Sequence, residues 1–406
     1  MKIKSISPYG LKEFFVPCGH CSECRTSQAI GWSVRLRSEI DYYRIHKGFN
    51  IGFLTLTYND GHLPFIPEKF FKAGEYKPIP CFHYPDVRKF FDCIRSWFWR
   101  EKKLKSAFRF FLASEYGEKY HRPHYHALIM YHPSVDPYTM YNVCSDAWCG
   151  TEYVIPLNYK NFRKKRFEYG IIAPFESFVP RDNYACGNYV AKYVCKDLAF
   201  YEVVNENFAH LSSDRKMLKE LRKFFPFHRQ SLGFGRCAIE GKNSSELVSA
   251  FTHGLSFYGA KRLYSLPRYM YGKLLFTPRK FYDIRSHRWR IFKLYTKFFY
   301  ENRKLVYDTL IRQKLDLYKR LAGDYWNTHS LYDATYTNEA RISCKAIIGD
   351  LESSGELESL AQFDVLWFGV PPHRCHTCER PEDIYFARFD PCAIPSISLL
   401  YFSIRL

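Results

Sequence analysis

Phe108-Arg-Phe-Phe-Leu-Ala-Ser-Glu-Tyr116 and His124-Tyr-His-Ala-Leu-Ile-Met-Tyr131 read as two strands of a hairpin that turns across Gly117 to Pro123. Neighbouring side chains on a strand point to opposite faces, so His124 and His126 share one face and Tyr125 takes the other. Two imidazoles so placed can grip one divalent ion. Working outward, Asn50 to Tyr58 is a further strand, with Thr55 and Thr57 on one face and Leu54 and Leu56 on the other. Between these strands, Pro85 to Lys103 repeats Val87, Phe90, Phe91, Ile94, Trp97 and Phe98 at helical spacing. Asn59 to Pro80 is an irregular insertion. Cys21 to His46 and Pro137 to Trp148 read as helices, and Tyr169 to Phe178 as one more strand.

Tyr189-Val-Ala-Lys-Tyr193-Val-Cys-Lys196 closes a predicted helix over Arg181 to Lys196, and Tyr189 follows His126 by 63 residues. Helical residues four apart lie about 40° apart around the axis, so both phenols can be offered to one site. The same spacing also serves a helix that packs its tyrosines against a sheet. A phenol has an ordinary pKa of about 10 and needs help to attack at neutral pH. A metal-polarised phosphate beside a tyrosine nucleophile is chemistry for cutting a DNA strand and keeping hold of its end.

Composition points to the same class of partner. The 406 residues carry 60 Lys and Arg against 41 Asp and Glu, a net charge of +19 that favours a polyanion. Aromatic residues make up 19% of the chain, and rings interleaved with cations suit a single strand, which offers phosphates and stackable bases. Residues 261 to 320 hold 17 Lys and Arg against four acids, a candidate strand-tracking surface or a solvated helical face. Within them Arg288 to Leu321 lacks Pro and Gly and repeats apolar residues at helical spacing. Asp350 to Asp364 forms an acidic stretch. No Walker-type phosphate loop is present, and no apolar run of about 18 residues predicts a membrane span. Met1 to Lys12 carries no export-signal pattern. The 14 cysteines are therefore expected as thiols or metal ligands rather than disulfides. Cys18, Cys21 and Cys24 have a spacing that suits structural zinc, with Cys375 and Cys378 as a second half-site. Three reduced thiols or an iron–sulfur cluster are the other readings.

Five blocks in order give the chain a family resemblance: Pro17 to Arg25, Phe53 to Tyr58, Glu115-Tyr-Gly-Glu118 with Arg122 to His126, the tyrosine helix, and Arg229 to Gly235. Together they resemble HUH endonucleases, most closely the replication initiators of gokushovirus-type microviruses, which are small circular single-stranded-DNA phages. Residues 236 to 406 carry no such resemblance. The resemblance implies an α+β fold: a ferredoxin-like HUH domain, an antiparallel sheet with helices on one face, followed by a basic, mostly helical region. The expected division is a Cys-rich segment and helix over 1–48, the nicking-joining domain over 49–235, and a basic, aromatic-rich region over 236–406 that could bind DNA.

The implied activity is rolling-circle initiation: nicking single-stranded origin DNA through a 5′-phosphotyrosine and rejoining the ends. Tyr189 and Tyr193 are the implied nucleophiles, and the family's helix lysine falls on Lys196, with Lys192 second. His124 and His126 would hold Mg²⁺ or Mn²⁺, and these hard ions prefer an oxygen ligand as well. An acid on a neighbouring strand serves in the family; Glu115 is the candidate here and Glu118 its rival. Host polymerase and helicase are the implied partners, with no membrane, in the cytoplasm of the bacterial host. A relaxase or tyrosine transposase would share the chemistry, and a non-catalytic DNA-binding or packaging protein would share only the charge.

Overall fold

The computed structural model describes residues 2–7, 10–15, 22–117, 120–150, 152–157, 160–165, 168–194, 206–257, 260, 262–283, 287–306, 308–310 and 312–313. Cys18, Cys21, Glu118, Lys196, Cys375, Cys378 and the acidic stretch 350–364 lie outside them, and of Cys24 only the backbone is described. Two compact units divide the chain: residues 20–241 with 255–270, and residues 1–19, 242–254 and 271–406.

The first unit is an α+β domain built on a five-stranded antiparallel sheet. Its strands are β3 (Asn50–Tyr58), β4 (Phe108–Tyr116), β5 (Pro123–Tyr131), β8 (Gly170–Ile172) and β9 (His228–Gln230), in the order β8-β3-β5-β4-β9. A separate hairpin, β6 (Glu152–Leu157) with β7 (Lys160–Lys165), precedes β8 in the chain. The histidine strand β5 is central. Thr55 and Ala113 flank His126 from either side, and Thr57 and Glu115 flank His124.

Four helices sandwich this sheet. On one face α2 (Tyr84–Lys102) and α3 (Pro137–Cys149) cover Leu54, Leu56, Leu112, Tyr125, Ala127 and Ile129. On the other, α1 (Ser22–Asp41) and α4 (Asn183–Tyr193) cover Ile51, Phe111, Leu128 and Met130. The expectation of helices on one face is thus extended to both, and the reason is visible in β5. Its run from Ala127 to Met130 is fully buried, so each of its faces needs an apolar cover. Each such aliphatic side chain contributes on the order of 1.5–3 kcal/mol by leaving water.

Helix ends follow local chemistry. Asp136 accepts a hydrogen bond from Thr139 N–H to start α3, and Asp182 accepts from the N–H groups of Tyr184 and Ala185 to start α4. α2 stops at Lys103, left-handed at φ 55°, whose N–H bonds back to the carbonyl of Phe98. The strand expected over Tyr169 to Phe178 is only Gly170–Ile172, because the chain turns at Pro174 into a short 3₁₀ turn, Phe175–Ser177.

In the second unit, β1 (Lys2–Ser7) and β2 (Gly10–Phe15) form a hairpin. So do β10 (Phe276–Asp283) and β11 (Arg288–Tyr295), which corrects the helical reading of residues from Arg288. The segment Arg288-Trp-Arg-Ile also satisfies a period of two, and pairing with β10 decides in favour of the strand. Helix follows over Lys297–Glu301. No helix among the described residues is long and apolar enough to cross a membrane.

Candidate active site

His124, His126, Glu115, Tyr189 and Tyr193 come together on the α1/α4 face of the sheet. His126 is buried, and its Nε2 lies 2.9 Å from the Oε2 of Glu115. Its Nδ1 lies 3.1 Å from Thr55 Oγ1, while His124 Nδ1 lies 2.9 Å from Thr57 Oγ1. Strand register brings about these contacts, since each threonine stands directly across from its histidine. Burial, followed by the neighbouring His126, lowers the His124 pKa below its ordinary 6.5 and favours the neutral imidazole that metal binding needs.

α4 delivers the tyrosines. Gly187 lets it approach α1 closely, since a Cβ there would stand 3.0 Å from Ile40 Cδ1. Tyr184 O–H donates to Asp41, and the Ser33 hydroxyl bonds Asn188, so two side-chain links join the helices. The Tyr193 ring stacks on His126 at 4.7 Å, and the Tyr189 ring meets the same imidazole edge-on at 5.4 Å. The two tyrosine rings are 4.7 Å apart. Tyr193 is 5% exposed and Tyr189 44%. Burial, then a hydrogen bond with Tyr189 and the charge of Glu115, holds the Tyr193 phenol far above its ordinary pKa of 10. Lys192 is exposed on the same helix.

A divalent ion fits this donor set in part. Glu115 Oε2 and His126 Nε2 are 2.9 Å apart, close to the ~3 Å between adjacent ligands of an octahedral ion with bonds of about 2.1 Å. A threonine hydroxyl can accept the Nδ1 proton that each imidazole must carry when Nε2 is a ligand. Among the described residues, no group of three or more His, Cys, Asp or Glu side chains is already arranged as a formed metal site.

Three contributors escaped the sequence reading. Phe53 stacks on His126 at 5.9 Å and meets Tyr189 at 5.8 Å. Its place two residues before Thr55 on one strand face was the available signal. The threonines had a face but no role until register paired them with the histidines. Gly117 keeps space for His124, because a Cβ there would lie 2.8 Å from Nε2.

Tyr125, on the opposite face, is fully buried in a polar network. Its hydroxyl lies 3.1 Å from Tyr58 Oη and accepts from His83 N–H at 3.0 Å; Tyr58 donates to Asp86 at 3.1 Å. The Arg229 to Gly235 block is a clasp. The Phe234 carbonyl accepts from the Arg35 guanidinium, and the Gly235 N–H donates to Glu39. Gly235 has φ 86°, which favours glycine, and a Cβ there would press on Arg35 at 2.9 Å.

An α+β sheet that holds two histidines and an acid under a pair of helix tyrosines defines a class of candidate phosphoryl-transfer site. Residues 51–198, which span β3, the histidine strand and the tyrosine helix, match the model of the family described as Replication-associated protein ORF2/gene 2 protein. The match supports a general role in initiating replication, and with it DNA as a partner. No curated protein and no solved structure matches the chain.

Proposed function

We propose that the chain is a rolling-circle replication initiator of the HUH type, acting on single-stranded origin DNA. The observation that carries this reading is the placement of both Tyr189 and Tyr193 against His126, on the face that also presents His124 and Glu115. His124, His126 and Glu115 would hold Mg²⁺ or Mn²⁺, which when bound supplies a Lewis acid for a phosphate oxygen.

The phenol oxygen of one tyrosine forms a bond to phosphorus, and the bond from phosphorus to the 3′ oxygen breaks. That oxygen takes up a proton and becomes a free 3′-OH, a primer for the host polymerase, while the 5′ phosphate stays on the tyrosine. The second tyrosine cuts the regenerated origin. The 3′-OH so released attacks the first phosphotyrosine, closes a circle and returns the phenol. Ester energy is conserved throughout, so no ATP is needed. Lys192 and Lys196 on the tyrosine helix would balance charge in the transition state.

We place the protein in the bacterial cytoplasm with host polymerase and helicase, in the manner of gokushovirus-type phages. Zinc at Cys18, Cys21 and Cys24 is part of the same proposal; metal analysis before and after Cys21→Ser tests it. For the main reading, labelled origin single strand is incubated with Mn²⁺ and run on a denaturing gel. A metal-dependent covalent adduct is expected. Binding without any adduct would leave only a non-catalytic DNA-binding role.

A further inference from the structure

The hairpin β10–β11 pairs Lys280 with Ile291 and Tyr282 with Trp289. Side chains alternate along strands, so these four residues share one face of the ribbon. The rings of Tyr282 and Trp289 meet edge-to-face at 5.5 Å. They are nonetheless left open: Trp289 is 69% exposed, Ile291 55% and Tyr282 46%. Lys280 is exposed beside them, and Arg279 and Arg288 are exposed on the opposite face. The two strands together carry five Lys and Arg against one acid.

Single exposed apolar residues are ordinary, but three adjacent on one side of a two-stranded ribbon form a patch. Its surroundings select the occupant. An anion is needed to match the cations, and flat surfaces to cover the rings. A single nucleic-acid strand supplies both, since its bases stack on aromatic side chains while its phosphates meet Lys and Arg. A duplex keeps its base faces inside.

We propose that this hairpin face is a binding site for single-stranded DNA, separate in sequence from the His–Tyr site and without chemistry of its own. It rests on the replication reading only for the choice of DNA over RNA.

The test uses the full chain in EDTA, so that no strand is cut, with labelled oligothymidylate followed by fluorescence anisotropy. Tyr282→Ala with Trp289→Ala should weaken binding about tenfold or more, and the ring-preserving Tyr282→Phe with Trp289→Phe should restore most of it. Tryptophan quenching by the strand should shrink in Trp289→Phe. Circular dichroism should be unchanged in both pairs, because the altered side chains are exposed. Parent-like affinity in a folded Ala pair would overturn the proposal. So would parent protein that prefers duplex, or oligouridylate, with the preference residing in these two rings. Adduct formation in Mn²⁺ is read separately on a short origin strand. If the parent forms none while the Ala pair still loses affinity, the nicking reading falls and the hairpin site stands. Adduct formation by the parent with unchanged affinity in the Ala pair has the opposite meaning.

Discussion

The rings of His126 and Tyr193 lie 4.7 Å apart and only 23° from parallel, so the inner tyrosine of α4 is sheltered by the imidazole while Tyr189 faces solvent. An incoming strand meets Tyr189 first. Tyr189→Phe should therefore slow the first covalent attachment by about tenfold or more, and Tyr193→Phe should slow it less. Either change alone should impair release of closed circles. The double Phe variant, and His126→Ala, should form no adduct, and the double Phe variant should still bind DNA. Denaturing gels with single-turnover timing read all four; a larger defect in Tyr193→Phe would reverse the order.

Thr55→Val and Thr57→Val preserve side-chain shape and remove the hydroxyls that meet His126 and His124. Each should lower Mn²⁺ affinity about 10–100-fold by freeing an imidazole to rotate or change tautomer. Each should cost about 1 kcal/mol of stability. Calorimetric titration with Mn²⁺ in the absence of DNA is the measurement, and unchanged affinity would rule out the orienting role.

Gly117→Ala should leave the fold standing and damage the site. The added methyl would lie 2.8 Å from His124 Nε2, so the ring must move. Mn²⁺ affinity and adduct yield should both drop, and thermal unfolding should shift by no more than the usual ~0.5–3 kcal/mol of a single change. Parent-like adduct yield would show that His124 tolerates displacement.

Tyr125→Phe gives the opposite pattern, because Tyr125 points to the far side of the same strand. Its loss strips the His83 N–H of an acceptor in a buried setting and should cost about 1–3 kcal/mol. Metal affinity and adduct chemistry should stay near parent values. Denaturant unfolding alongside the adduct gel separates the two.

How far the sequence could be read follows from which contacts are local. β3 and the β4–β5 hairpin were legible because period-two patterning and a short turn are local properties. α2 was legible from its apolar spacing and α4 from its tyrosines. The pairing of Thr57 with His124 was not, since it depends on which strands become neighbours, and neither was the second helical cover. β11 was misread because Arg288 onward satisfies both periods, and a partner strand decides between them. Glu115 was chosen over Glu118 by resemblance; its 2.9 Å contact with His126 supplies the physical ground, while Glu118 lies outside the described residues.

The edge strand β9 has a consequence for how the protein is made. It covers Phe111 to Ala113 of β4, yet His228 follows Tyr116 by 112 residues. At about 5–20 residues per second, a ribosome takes roughly 6–22 s to close that gap. Throughout that interval β4 offers an unpaired edge to any other nascent chain, a hazard that grows with expression level. Slower synthesis lengthens the vulnerable period, whereas supplying residues 228–241 as a separate peptide during refolding should shorten it.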